Sequence, residues 1–127
     1  MMIDIRGLVQ TALDNTLKGA VKVFWQRKKG ADADEYIVFT LSGDSTEFFA
    51  DNEPLVMAGD VTVRYFYRDY YLDDQAEREH VKSQEKIIQT ALEGAGFVLP
   101  FGKFDAGDVD NIGYFTTVFE CEFWRNV

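Results

Sequence analysis

Cysteine, histidine and proline are scarce in this 127-residue chain, and each scarcity narrows its chemistry. The one cysteine, Cys121, excludes an internal disulfide, and with His80 as the only histidine no Cys/His zinc cage can be assembled. Two prolines leave room for long uninterrupted elements. Basic residues number 13 against 22 acidic ones, and the resulting net charge of -9 disfavours general wrapping of nucleic acid, which needs cations. No apolar run approaches the roughly 20 residues that span a bilayer. The start, Met1-Met2-Ile3-Asp4, lacks the basic and apolar stretches of a signal peptide. The expected setting is therefore a soluble protein made in a reducing compartment, with no membrane partner and no cofactor. Signature motifs are missing as well. There is no phosphate-binding G-x-x-x-x-G-K-[ST] loop and no G-x-S-x-G elbow.

What remains is ample for a core. Hydrophobic residues make up 46% of the chain and include 11 Phe and 6 Tyr, so one domain with a largely aromatic interior is expected. Ile5, Leu8, Val9, Ala12, Leu13, Thr16 and Leu17 recur at helical spacing, with Asp4 as N-cap and Lys18-Gly19 as the stop. Gly7 counts against the first turn. Alternation then sets in at Val21, Val23 and Trp25, and Tyr36 to Leu41 reads as the return strand of a hairpin. Ser42-Gly43-Asp44-Ser45 reads as a turn, followed by a short extended piece from Thr46 to Ala50, and Leu55 to Gly59 is ambiguous. Val61, Val63, Tyr65 and Tyr67 mark the clearest strand. Asp73-Asp74 opens a second helix whose first half is polar and whose apolar stripe runs through Val81, Ile88, Ala91 and Leu92 to the stop at Gly94-Ala95-Gly96. A loop is expected from Pro100 to Asn111. The last strand, Tyr114 to Arg125, places Phe115, Thr117, Phe119, Cys121 and Phe123 on one face. The expected fold is α+β, a single domain with two helices packed on one face of a mostly antiparallel sheet of four or five strands.

The residues that carry chemistry elsewhere have bland settings here. His80 lies among Glu77, Arg78, Glu79 and Lys82, and reads as an exposed helix histidine. Cys121, between Phe119 and Phe123 on an apolar face, reads as a buried inert thiol. Asp32, Asp34 and Glu35 share one loop and Asp105, Asp108 and Asp110 another, but neither has the spacing of a calcium loop. No catalytic, cofactor-binding or metal-binding residue is assigned, and an enzyme is not expected. A small hydrolase using Asp105, Asp108 or Asp110 is a lesser alternative, as is a host scaffold module that binds a peptide along a sheet edge. Charge distribution favours an interaction surface. Lys18, Lys22, Arg27, Lys28 and Lys29 concentrate positive charge near the first strand, while carboxylates fill other loops. Arg27, Lys28, Lys29, Asp32 and Asp34 are the candidate interface residues, since one chain with opposite charges on separate loops can pair head to tail with a copy of itself.

This order of elements resembles the small tail-completion or tail-terminator proteins of long-tailed bacteriophages and prophages. The likeness lies in the N-terminal helix, the aromatic strand Val21-Lys22-Val23-Phe24-Trp25, the return Tyr36-Ile37-Val38-Phe39 and the acidic Ala50-Asp51-Asn52. It continues through Val61-Thr62-Val63-Arg64-Tyr65-Phe66, a helix ending Ala91-Leu92-Glu93-Gly94-Ala95-Gly96-Phe97, and the strand Phe115-Thr116-Thr117-Val118-Phe119-Glu120-Cys121. The resemblance implies a non-enzymatic virion protein, assembled in the bacterial host cytoplasm. It would cap the tail tube as a ring, in some relatives a hexamer, and join that tube to the head connector. Its partners would be itself, the tail-tube protein and the head-connector protein. An acidic lumen wall would let DNA pass without specific binding.

Overall fold

A computed structural model describes residues 4–26, 33–46, 55–108 and 113–126. The chain runs α1 (Ile5–Leu17), β1 (Lys22–Trp25), β2 (Glu35–Thr46), β3 (Leu55–Arg68), a single 3-10 turn (Asp69–Leu72), α2 (Gln75–Gly94), β4 (Phe97–Val98), β5 (Lys103–Gly107) and β6 (Tyr114–Asn126). The strands form one sheet in the order β1-β2-β3-β6-β4, with β5 also paired to β6 on the side away from β3. Both helices cover one face. The α+β expectation holds, with a sheet of six strands that is mixed: only β1–β2 is parallel.

Each helix forms where its caps and stripe place it. The Gly7 N–H donates to Asp4 Oδ1 at 3.0 Å, satisfying one of the first orphan donors of α1. A Cβ at position 7 would lie 2.4 Å from Asp4 Oδ2, so the glycine that weakens the turn also makes room for its cap. Ile5, Val9, Leu13 and Leu17 form the buried stripe. In α2, Asp74 caps the Ala76 N–H at 3.2 Å, and Val81, Ile88 and Leu92 are buried. Against them the sheet presents Ile37, Phe39, Val61, Val63, Tyr65, Phe119 and Cys121, all essentially inaccessible.

Four local expectations fail, each for a physical reason. The first two strands are not a hairpin: β1 runs parallel to β2, with Val23 beside Ile37 and Trp25 beside Phe39. Alternation dictates which face each side chain takes, and that is the same for either strand direction. Direction depends on the connection, which leaves β1 at Gln26 in a left-handed conformation (φ 72°) while the Gln26 N–H bonds the Phe39 carbonyl at 2.9 Å. Residues 42–45 are not a turn either. Gly43 and Asp44 pair with Asp60 and Gly59, so the long neighbour β3 holds turn-forming residues extended, and a bulge between Leu41 and Gly43 absorbs the extra residue. The segment expected to be a loop from Pro100 contains β5, which the backbone edge of β6 captures despite a weak side-chain pattern. Glu35, read as a loop carboxylate, is the first residue of β2.

Candidate functional site

Two carboxylates lie beneath α2, and both are engaged. Glu35 accepts from the Tyr65 hydroxyl through Oε1 at 2.5 Å, and its Oε2 stands 2.9 Å from His80 Nε2. Burial first, and then the bond to Glu35, push the Tyr65 hydroxyl far above its ordinary titration range. His80 is therefore not a bare surface histidine: half exposed, it ties the first half of α2 to the first residue of β2. Further along the helix, Glu85 is buried, accepts from Thr117 Oγ1 at 2.5 Å and pairs with Lys103 Nζ at 3.4 Å. These contacts account for the polar residues on the packed side of α2. They act as fastenings between helix and sheet.

The face of the sheet away from the helices divides into two regions. At one end Tyr36 stacks on Phe66 at 4.7 Å between centroids, with Phe24 and Tyr114 edge-on to it. Arg68 lies over the Tyr114 ring at 4.3 Å. The Tyr114 hydroxyl donates to the Ala33 carbonyl at 2.6 Å. Tyr36, Tyr114, Thr116 and Val118 are buried there without a helix above them. At the other end Asp60 stands directly across from Glu122, and Glu120 is the next outward residue of β6. Burial, then Glu122 and Glu120, hold the Asp60 carboxyl above the usual carboxylate range.

A cleft of about 240 Å³ opens beside these carboxylates, lined by Asp60, Thr62, Pro100, Phe101, Glu120 and Glu122 among others. It forms because β4 pairs with Glu122 and Phe123, β5 pairs with Thr116 to Phe119, and the 99–102 connection bridges the gap. Phe101 is 77% exposed at its rim.

The sheet's other side is incompletely closed. β1 pairs only with Tyr36 to Phe39, so β2 from Thr40 to Thr46 has no strand on its outer edge among the described residues. Part of the β1 edge is occupied from within: Gln10 Nε2 donates to the Val23 carbonyl at 3.3 Å, and Arg6 lies 4.3 Å over the Trp25 ring.

Of the candidate interface residues, Arg27, Lys28, Lys29 and Asp32 lie outside the described residues. Asp34 is described, and it serves the fold: its Oδ1 accepts from the Tyr70 hydroxyl at 2.7 Å and faces Arg68 at 4.0 Å. Among the acids weighed for hydrolysis, Asp105 is exposed on β5, and Asp108 accepts from the Gly113 N–H at 3.0 Å and closes its own loop. Asp110 lies outside the described residues. Cys121 is buried, and desolvation pushes its thiol up to about 12, which suits an inert side chain. Among the described residues no three His, Cys, Asp or Glu side chains converge as a metal site, and no helix is long and apolar enough to cross a membrane. The acidic cleft was not legible in sequence, because its three carboxylates come from separate strands and meet only through the β3–β6 register.

No family model matches the chain, and no curated protein matches it. Among solved structures, a protein known by a serial designation aligns over 98% of this chain and 97% of its own length, with a TM-score of 0.48 and 11% identity.

Proposed function

We propose that this chain is a non-enzymatic structural protein of a long-tailed phage or prophage, which assembles with copies of itself into a ring that caps the tail tube and joins it to the head connector. The observation that carries the reading is the open outer edge of β2 beyond Phe39, on a sheet whose strands are unusually long. β2, β3 and β6 run for 12, 14 and 13 residues, against a common strand length of about six. Natural proteins blunt or cover such edges, and one left open is a template for another chain. The buried carboxylates support the same reading by being used up in fastening α2. The resemblance in element order supplies the phage context, the tube and connector as partners, and the virion as the location.

Negative-stain images of the purified chain at high concentration test the reading. Rings with a central opening, which dock on the ends of tail tubes when these are added, are the expected result. A uniform population of small monomers that never decorates tube ends would overturn it and favour the alternative, a host module whose open β2 edge receives a peptide.

A further inference from the structure

We propose that the acidic, aromatic cleft between β4 and β5 is the receiving half of a head-to-tail contact, and that it takes the Arg27-Lys28-Lys29 segment of a second copy of this chain. The inference rests on the reading of the chain as a self-assembling subunit and names the surface through which it assembles.

The cleft has two chemistries on one side of the sheet. Val98, Phe101 and Phe104 are 51%, 77% and 45% exposed. The register places Val98 beside Glu122 and Phe104 beside Val118, both on the face away from the helices. Single exposed apolar side chains are ordinary, but a group of them at one sheet edge, rimmed by charge, marks an interaction surface. The charge is Asp60, Glu120 and Glu122. Like charges directly opposite one another across two strands destabilise a sheet, and here Asp60 and Glu122 are such a pair. Trp124 Nε1 donates to Glu122 Oε1 at 3.1 Å, which eases only part of the repulsion. A cationic partner would remove the penalty, and the neighbouring Phe rings offer a guanidinium or ammonium group a second attraction.

The complementary chemistry sits at the opposite edge of the same sheet. β1 ends at Trp25, and Arg27-Lys28-Lys29 follow directly after Gln26 in sequence, with Lys22 on β1 itself and Arg6 over Trp25. Three strands, β2, β3 and β6, separate β1 from β4. At about 4.8 Å per strand the two edges stand roughly 19 Å apart. Contact between the edges of different copies is heterologous, the kind that closes into a ring when the rotation between subunits permits.

A charge swap tests this. One variant carries Glu120→Lys and Glu122→Lys, and a second carries Lys28→Glu and Lys29→Glu; circular dichroism verifies that both fold. Light scattering is expected to show each variant alone losing self-association at least tenfold relative to the natural chain, because like then meets like. Mixed in equal amounts they regain the natural oligomer mass, since each variant's altered edge now meets its complement. Phe101→Ser, at a side chain exposed in the single chain, weakens association without shifting the thermal midpoint. If the natural chain assembles but either charge variant assembles equally well, or the mixture stays monomeric, this contact is wrong while the ring reading stands. A natural chain that never associates overturns both.

Discussion

At Glu85 a carboxylate that reads in sequence as one more charge on a polar helix is buried against Thr117 and Lys103. Glu85→Ala leaves the Thr117 hydroxyl without its partner, and a loss of roughly 1–3 kcal/mol is expected, read as a lowered urea midpoint with an unchanged slope. Lys103→Ala should lose less, because the ammonium group is partly exposed and screened by water. Asp60 reports in the opposite direction. A carboxyl whose titration is raised in the folded state contributes stability below its ordinary value of 3.8, and loses that contribution as pH rises through the raised value. Asp60→Asn should therefore stabilise the chain near neutral pH, with the gain disappearing as the pH falls below about 4; thermal midpoints across pH measure it. Cys121, with its thiol held near 12, should resist a disulfide reagent in native buffer and react only on unfolding. Cys121 was legible in sequence, because flanking Phe119 and Phe123 fix its face. Glu35, Glu85 and His80 were not, because alternation and helical period do not reveal which polar side chains pair across 30 or 40 residues.

Among the elements, both helices were legible to within a residue or two, since each carries its own cap, stripe and stop. Gly96 shows how specific a stop is. Its φ of 102° is open to glycine, and a Cβ there would meet the Phe123 ring at 3.1 Å. Gly96→Ala should cost about 1–2 kcal/mol from the backbone conformation alone, measured by chemical denaturation. Strands were legible where alternation is strong, as in Val61 to Tyr67, and in β6 with both of its faces. They were not legible where a neighbour's backbone does the holding: Gly43 and Asp44 are extended because Asp60 and Gly59 pair with them, and β5 exists because β6 has an edge to fill. The parallel entry of β1 depends on the path of the 26–34 connection, about which side-chain alternation is silent. That same topology sends the basic segment after Gln26 to one sheet edge and the acidic cleft to the other.

For the whole molecule, a net charge of -9 does not describe how charge is used. One edge of the sheet carries the basic stretch and an open length of β2, and the other carries carboxylates beside exposed aromatic rings. Such a body associates by edges, and exposed ion pairs across those edges weaken as salt screens them. The solution mass, followed by light scattering over a range of protein concentration at low and high ionic strength, tests this most directly. Assembly well above the 14.5 kDa of one chain, converging on a single closed oligomer at low salt and loosening at high salt, is the predicted result. A mass that stays at one chain under every condition would contradict the account.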